Sequence, residues 1–260
     1  MNRQKKLIAI LSIIFTCSMG QYALSVTPSP LKKDLIELRT YTFKTNQQRD
    51  RFSDFMGTTM LPALKRLNIG PVGIFTEVDT QKKHIYLLLS YKTVNGVLTT
   101  NDLLLADKVY IQAAGDKLTR DKKNAMFLRY TSRLMIAFDD CKTIEQPVSS
   151  KTRLLQLRTY EGPSPVLAKR KVEMFNRGGE IALFRETGLN PVFFGETIIG
   201  DKMPNLTYMI GFENKKALDK SWKTFFSHPK WKKMSKDPYY KGTVSNVTNI
   251  ILKPTQHSEI

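Results

Sequence analysis

The sequence predicts an α+β protein in which two ferredoxin-like domains, each with the element order β-α-β-β-α-β, follow one another. The first observation is a repeat: the run Leu-Arg-Thr-Tyr occurs at 38–41 and again at 157–160, an offset of 119 residues. Two further segments recur at offsets of 120 and 122, namely 69–72 as 189–192 and 85–88 as 207–210. The length of 260 residues, with 41% hydrophobic content, fits two globular domains and excludes a disordered chain.

The first 25 residues have the pattern of an export signal. Basic residues at 3, 5 and 6 precede the apolar run 7–15, which is too short to span a bilayer. Small residues then offer cleavage after Gly20 or after Ser25. We therefore expect a periplasmic or secreted protein in which 26–33 is a tether, with an uncleaved anchor as the alternative.

Cys17 allows a second interpretation of this segment, as a lipoprotein signal. Phe15 and Thr16 match such a signal poorly, so lipidation is kept only as an alternative. If cleavage falls beyond Cys17, Cys141 is the one cysteine left, and no disulfide can form within the chain. The acidic neighbours of Cys141 disfavour a thiolate, so we interpret it as an incidental linker thiol.

The formal net charge is +18, and much of it lies late in the chain. Nine lysines fall within 215–241, against only Asp219 and Asp237. Such a field attracts nucleic acid, anionic lipid or anionic glycan, although a solubilising face is the simpler interpretation. No nucleic-acid-binding motif accompanies the charge, so we expect no nucleic acid partner and leave an anionic surface or glycan open.

Domain 1 is predicted over 34–138. Its strands are expected where aliphatic, aromatic and β-branched residues concentrate, at 35–43, 72–78, 84–91 and 126–138. Asn46 is a candidate N-cap for a helix over about 47–67, in which Pro62 should cause a kink or a break. The apolar residues of 94–123 favour one or two further helices.

A polar linker over 139–152 separates this domain from domain 2, predicted over 153–254, and 255–260 is a tail. Domain 2 repeats the element order, with strands at 153–161, 191–199, 206–213 and 243–253 and helices at 165–187, 215–226 and 229–236. Gly178 and Gly179 should weaken the middle of the first of these helices.

In this element order both helices lie on one face of a four-stranded sheet, and the other face needs a cover. Two domains in one chain can cover each other by packing these faces together. We therefore predict one intramolecular, barrel-like pseudo-dimer. A further homodimer of the whole chain stays open.

The repeated motifs resemble the NIPSNAP family, within the dimeric α+β barrel superfamily. The resemblance covers 34–254 and is carried by 37–41 with its echo 156–160, by the Gly-Pro-Val and Asn-Pro-Val entries to the second strands, and by His228-Pro229-Lys230-Trp231. It implies the barrel fold but no catalytic residues, since related barrels include cofactor-free monooxygenases, haem enzymes and proteins without known chemistry. Because 94–123 contains no Trp, a site that depends on this segment would exist only in domain 2.

Metal, phosphate-loop and nucleophile motifs are missing from the sequence. The histidines are His84, His228 and His257, with no ligand spacing between them. We expect no metal and no cofactor, with haem ligation by His84 or His228 as the alternative.

Alternating strand positions supply the main ligand-binding candidates. We expect them to face the cavity between the sheets; they are Arg39, Tyr41, Tyr86, Arg158, Tyr160 and Tyr208. Arg39 has Glu37 two residues away on its own face, whereas Gln156 takes that place in domain 2. Arg158 is therefore predicted to be a buried cation awaiting an anion, unless it pairs with Glu161, Glu196 or a carboxylate of the other sheet.

His228 and Trp231 complete the candidate set. The alternative is that His228 caps a helix and that Trp231, with Pro229, holds the last helix on the core.

These features favour an exported NIPSNAP-like protein that binds a small molecule or a partner in or near the cavity between the sheets. One alternative is a cofactor-independent oxygenase or isomerase that uses a Tyr or His as acid or base. Another is a basic surface-adhesion module. An enzyme should show a titratable group of shifted pKa beside an apolar void, and a binding or structural module a filled interior.

Overall fold

The computed structural model describes residues 32–79, 81 and 83–260. The predicted export signal, both cleavage sites and Cys17 lie outside these residues. In the part of the chain that is described, no helix combines the length and apolar character needed to cross a bilayer.

Half one of the molecule contains four strands and four α-helices. They are β1 (Leu35–Thr42), α1 (Asn46–Phe55), α2 (Leu61–Arg66), β2 (Gly73–Glu77), β3 (His84–Tyr91), α3 (Val94–Ala106), α4 (Lys108–Ala114) and β4 (Arg129–Ala137). The side chain of Thr45, rather than the predicted Asn46, caps α1 by accepting from the amide of Gln48. A π-helical turn over Met56–Met60 joins α1 to α2, and Pro62 lies in the first turn of α2, where its missing N–H costs least.

Half two repeats this order. Its elements are β5 (Leu154–Glu161), α5 (Pro165–Phe175), α6 (Glu180–Glu186), β6 (Asn190–Ile199), β7 (Asn205–Phe212), α7 (Lys215–Ser227), α8 (Pro229–Met234) and β8 (Asn246–Pro254). The helix expected over 165–187 is divided at the glycine pair. Gly179 has a φ of 84°, and a Cβ on Gly178 would lie 2.5 Å from the carbonyl oxygen of Met174.

All the named strands of the described chain form one closed antiparallel barrel in the order β1-β3-β2-β8-β5-β7-β6-β4. The two halves are joined at both edges, by β2 with β8 and by β4 with β6. The predicted fold class, an α+β pseudo-dimer within one chain, is confirmed. Hydrogen bonding across the edges makes the two sheets one continuous wall.

An approximate twofold axis runs along the barrel, because β1 and β5 lie four antiparallel steps apart and therefore point the same way. Equivalent residues of the two halves thus lie at the same height. At the end where β1 and β5 begin, Ile144 and Ile260 pack among the apolar residues of the interior. The other end, where β1 and β5 finish, is polar and is called the polar end below.

The described residues form three apolar clusters. One fills the barrel with residues such as Ile36, Leu38, Leu88, Met135, Leu155 and Leu157. The other two lie outside the barrel wall, between the sheet of each half and its own helices. Cys141 packs in the cluster of half two, and burial raises the pKa of its thiol to about 12, consistent with an inert thiol.

Candidate functional site

The row of strand one that contains Arg39 points away from the barrel interior. Tyr41 packs against Phe52 of α1, with ring centroids 4.8 Å apart, whereas Ile36 and Leu38 face the lumen. The prediction that Glu37, Arg39, Tyr41, Gln156, Arg158 and Tyr160 line the cavity between the sheets is therefore wrong. In β1 the aliphatic and small row of Ile36, Leu38 and Thr40 faces the lumen, and the longer polar and aromatic row packs under the helices instead.

Tyr86 and Tyr208, predicted to be equivalent, lie on opposite sides of the wall. Strand pairing sets Tyr86 against Thr40, so Tyr86 faces the lumen, and sets Tyr208 against Arg158, so Tyr208 faces the helices. Since Arg39 pairs with Leu87, the true offset in this strand is 121 residues rather than 122. A shift of one residue moves a side chain to the other face of a sheet.

Under the helices of half one, Arg39 is paired with a carboxylate. Its Nε donates to Glu37 Oε1 at 2.7 Å and its Nη2 to Glu37 Oε2 at 2.9 Å. Ser132 and Tyr91 donate to the same carboxylate at 2.6 and 2.8 Å. Burial alone would raise the pKa of Glu37, but these donors and the guanidinium charge outweigh it and lower the pKa. Arg39 is therefore buried in an ion pair with Glu37, the carboxylate that the sequence places on its own face of the strand.

In half two, no carboxylate of the described residues lies within 4.0 Å of Arg158, which is half-buried. Its guanidinium carbon lies 5.0 Å from the ring centre of Trp222 and 5.4 Å from that of Tyr160. Its Nε is buried and has no hydrogen-bond partner. Glu161 and Glu196, the predicted alternative partners, lie beside Lys202 and Lys169 instead.

A second buried ion pair lies in the same cluster, beneath the helices of half two. Lys171 Nζ donates to Glu180 Oε2 at 2.7 Å, and both side chains are almost fully buried. Tyr160 and Tyr208 share a hydrogen bond of 2.9 Å between their hydroxyls. Burial raises the pKa of Glu180, although Lys171 acts in the opposite direction.

Trp231 borders this cluster, and His228 has a different role. The Trp231 ring centre lies 5.9 Å from Lys171 Nζ and 4.5 Å from that of Phe225. His228 caps α8 by accepting from the amide of Lys230, and its Nε2 lies 3.2 Å from a Glu186 oxygen. Both arrangements match the structural alternatives that the sequence left open.

The sequence contained a signal for the Lys171–Glu180 pair that was missed. Lys171 lies four residues after Leu167 and four before Phe175, in the apolar row of the predicted helix. A charge in such a row indicates a buried partner. The space beside Lys171 and Tyr160 is only about 20 Å³, so the cluster is essentially filled.

A cavity between the sheets lies at the polar end, is partly open to solvent and has a volume of about 200 Å³. Threonines from neighbouring strands line it at one level, and they are Thr40, Thr131, Thr159 and Thr248. Leu38, Leu157 and Ile250 form its apolar floor. A larger groove of about 1070 Å³ beside the start of α1 is open to solvent and lined mostly by long polar side chains. The cavity is therefore the better candidate site.

Arg133 is the most buried of the three charged residues that line the cavity, the others being Asp201 and Lys202, and sequence reasoning missed it. Its Nη1 donates to the hydroxyls of Thr159 and Thr207 at 2.9 and 2.7 Å. Its Nη2 donates to Asp201 at 2.7 Å, and its Nε is buried without a hydrogen-bond partner. The hydrogen bond from Arg133 lowers the pKa of Asp201, a residue whose side chain is 62% exposed at the mouth.

Tyr86 lies on β3, which only β1 separates from the strand of Arg133, and it is held by a short chain of hydrogen bonds. Its hydroxyl donates to Glu77 Oε1 at 2.8 Å, and His84 Nδ1 lies 2.8 Å from the same oxygen. Burial, followed by the charge of Glu77, raises the pKa of Tyr86, so the phenol stays protonated at neutral pH. Among the described residues, no group of three His, Cys, Asp or Glu side chains is arranged to hold a metal ion.

A closed eight-stranded barrel with paired helices outside each half is the architecture of the dimeric α+β barrel fold. The NIPSNAP family model matches residues 155–259, so this segment of the chain is similar to a NIPSNAP domain. The predicted resemblance is thereby confirmed over these residues.

Solved structures show the same fold. A proposed monooxygenase of Lactobacillus acidophilus NCFM has a TM-score of 0.57 at 10% identity, covering 86% of this chain and 94% of that one. A proposed monooxygenase of Fusobacterium nucleatum has a TM-score of 0.57 at 9% identity, covering 85% and 92%. An anthrone oxidase-like protein has a TM-score of 0.53 at 8% identity, covering 86% and 92%. No curated protein matches the sequence.

Proposed function

We propose that the protein binds a small organic anion in the cavity at the polar end of the barrel, with Arg133 as its anchor. The observation that carries this proposal is that the guanidinium of Arg133 lines the cavity and its buried Nε has no hydrogen-bond partner. An unmet buried donor is costly, and a carboxylate or phosphate oxygen is its natural acceptor.

The size and lining of the cavity define the ligand class. About 200 Å³ is less than the 300–1000 Å³ of typical drug-sized sites, so it suits a short carboxylate rather than a haem or a dinucleotide. Threonine hydroxyls can meet a hydroxyl or carbonyl of the ligand, and the floor of Leu38, Leu157 and Ile250 can cover a short apolar portion.

Asp201 competes with such an anion for the guanidinium of Arg133. Its carboxylate holds the Nη2 of Arg133 from the exposed mouth of the cavity. A ligand carboxylate would replace Asp201 there. Export, which we propose from the pattern of residues 1–25, would place this binding activity outside the cytoplasm.

Catalysis has weaker support than binding. The similar structures described as monooxygenases and as anthrone oxidase-like share at most 10% identity with this chain, and that likeness concerns the fold. Tyr86 at the cavity is protonated at neutral pH, so it can donate a hydrogen bond to a ligand but is a poor general base.

The test is a matched pair of arginine variants. Native mass spectrometry of the purified protein would first identify a retained ligand, and calorimetry with a set of short carboxylates would measure affinity. Arg133→Met should weaken binding by about 10- to 100-fold, the value of a hydrogen bond to a charged group. Arg158→Met, under the helices of half two, should leave binding unchanged.

Two results would contradict the proposal. Anion binding that survives Arg133→Met would exclude the cavity, and binding lost in Arg158→Met alone would place the site beneath the helices. Asp201→Asn should tighten binding, because it removes the competing charge. Circular dichroism of each variant confirms that it is folded.

A further inference from the structure

The outer surface of α7, α8 and the turn after them is the most basic part of the described chain. It contains nine lysines between 215 and 241, all exposed. Lys215 pairs with Asp219 and Lys230 with Glu186. The other seven have no acidic partner within 4.0 Å among the described residues, and they are Lys216, Lys220, Lys223, Lys232, Lys233, Lys236 and Lys241.

The geometry of α7 concentrates this charge on one face. Lys216, Lys220 and Lys223 follow the spacing i, i+4, i+7, and Leu218 and Phe225 are buried on the opposite side. We call the surface formed by the nine lysines the basic face. Lys216, Lys220 and Lys223 are the lysines on this side of α7 that have no acidic partner among the described residues.

An exposed aromatic side chain adjoins the basic face. Phe226 is 54% exposed, and its ring stacks on that of Trp222 with centroids 5.2 Å apart. Phe226 follows Lys223 by three residues, so both lie on neighbouring parts of the helix surface. A phenyl ring held rigidly in this position meets water at a cost that an apolar partner would remove.

The basic face is specific to half two. Its counterpart in half one is α3, which also follows the third strand of its sheet. This helix contains no Lys or Arg. The fold therefore does not require the charge, which points to a role in contacting something anionic.

We infer that the basic face docks on the surface of a membrane that contains anionic phospholipid. Lysines near such a surface each contribute about fivefold to the binding constant, without fixed geometry. Phe226 would enter the boundary between headgroups and acyl chains, as aromatic residues of interfacial helices do. This inference does not depend on ligand binding in the barrel.

A sulfated glycan fits this face less well. Planar, bidentate recognition of anionic groups favours Arg, and all nine basic residues from 215 to 241 are Lys. A glycan also offers no hydrocarbon interior to receive Phe226. The two partners therefore differ in what they require of the aromatic ring.

The experiment is vesicle co-sedimentation of the protein purified without residues 1–25. Vesicles of pure phosphatidylcholine are compared with vesicles in which about a third of the lipid is phosphatidylglycerol. We expect binding to the anionic vesicles alone, weakening as salt rises. Lys216→Gln, Lys220→Gln and Lys223→Gln combined should reduce the binding constant about 100-fold at low salt. Phe226→Ser should reduce it about tenfold.

The control variant removes three exposed lysines of half one that have no acidic partner among the described residues: Lys44→Gln, Lys122→Gln and Lys123→Gln. It should bind anionic vesicles like the wild type. Equal loss in both triple variants would overturn the inference, because net charge alone would then explain binding. Absence of vesicle binding would also overturn it, as would tighter binding to heparin with no effect of Phe226→Ser.

Discussion

Arg39 and Arg158 occupy equivalent positions under the helices of the two halves, but they have different surroundings. Arg39 makes a two-pronged ion pair with Glu37, which is also held by Ser132 and Tyr91. Arg158 lies over the rings of Trp222 and Tyr160. The side-chain carbonyl of its neighbour Gln156 accepts a hydrogen bond from Trp222 Nε1 at 2.6 Å, and the side-chain amide of Gln156 donates to Asn249 Oδ1 at 2.9 Å.

Half two also buries a carboxylate beneath its helices, but it is Glu180 on α6 rather than a residue of the first strand. Lys171 corresponds to Phe52 at the offset of 119 residues set by the caps of α1 and α5, and Glu180 corresponds to Met60 at the offset of 120 seen at the ends of α2 and α6. A buried ion pair therefore stands where half one has apolar packing. Beneath its helices, half one thus buries the pair Arg39–Glu37, whereas half two buries the pair Lys171–Glu180 and has the half-buried Arg158 as a further cation. A repeated sequence motif therefore does not guarantee a repeated interaction, because one exchange, Glu37 for Gln156, changes the partner of the next arginine.

The largest effect is expected from breaking the Lys171–Glu180 pair. Glu180→Leu leaves a fully buried lysine without a partner and should reduce the free energy of unfolding by about 5 kcal/mol, the upper end for such pairs. The double variant Lys171→Phe with Glu180→Leu replaces both charges by apolar side chains, the kind of packing found in half one, and should regain all but about 1 kcal/mol. Urea unfolding of the three proteins measures this. A double variant as unstable as Glu180→Leu would show that the pair is not coupled.

A smaller difference should separate the two arginines. Arg39→Leu strands Glu37 and should cost about 3 kcal/mol, the lower end for a broken buried pair, because Ser132 and Tyr91 still donate to the carboxylate. Arg158→Leu strands no carboxylate within 4.0 Å and should cost about 1 kcal/mol, the value of its contacts with the aromatic rings. Thermal melts of both variants decide this. Equal losses would mean that Arg158 has an ionic role after all.

The smallest effect concerns pH, where the two halves should respond in opposite directions. The pKa of Glu37 is lowered from 4.5 in the folded state, so its stabilisation is complete above that value and is lost as pH falls through the folded pKa. The pKa of Glu180 is raised above 4.5, so its penalty develops as pH rises from the unfolded toward the folded pKa.

Urea unfolding between about pH 3 and pH 7 tests this contrast. The stability difference between wild type and Glu37→Gln should shrink on acidification below about 4.5, the unfolded value. The free energy of unfolding of the wild type should rise relative to that of the double variant Lys171→Phe with Glu180→Leu as pH falls through the folded pKa of Glu180. If the free energy of unfolding changed with pH in the same way for all three proteins, the pKa shifts assigned to Glu37 and Glu180 would both be wrong.

The sequence predicted the architecture well because the architecture depends on periodicity and repetition. The third strand was expected at 84–91 and is His84–Tyr91, and the repeat of Leu-Arg-Thr-Tyr located both first strands. Two sheets with a bare face each have few other ways to cover those faces, so the pseudo-dimer followed. The divided helix also followed from Gly178 and Gly179, whose conformations interrupt it.

The candidate site was less predictable, for two physical reasons. Alternation assigns residues to two faces but does not say which face meets the helices, so Arg39 and Arg158 were placed on the wrong side of the wall. Arg133 was missed because it is not repeated: it pairs with Leu38 in half one, and Ile250 pairs with the equivalent Leu157 in half two. Only the closed barrel brings Arg133 to the threonines of half two.

The linker between the halves has a consequence for symmetry. In a barrel assembled from two identical subunits, every lumen residue would occur twice, and two guanidiniums at the level of Arg133 would face each other across a cavity of about 200 Å³. Their repulsion in so small a space would disfavour closure. Joining the halves in one chain allowed Ile250 to replace the second cation. Covalent fusion thus permits a lumen with one charged wall and one apolar wall, so that a ligand would enter in a single orientation.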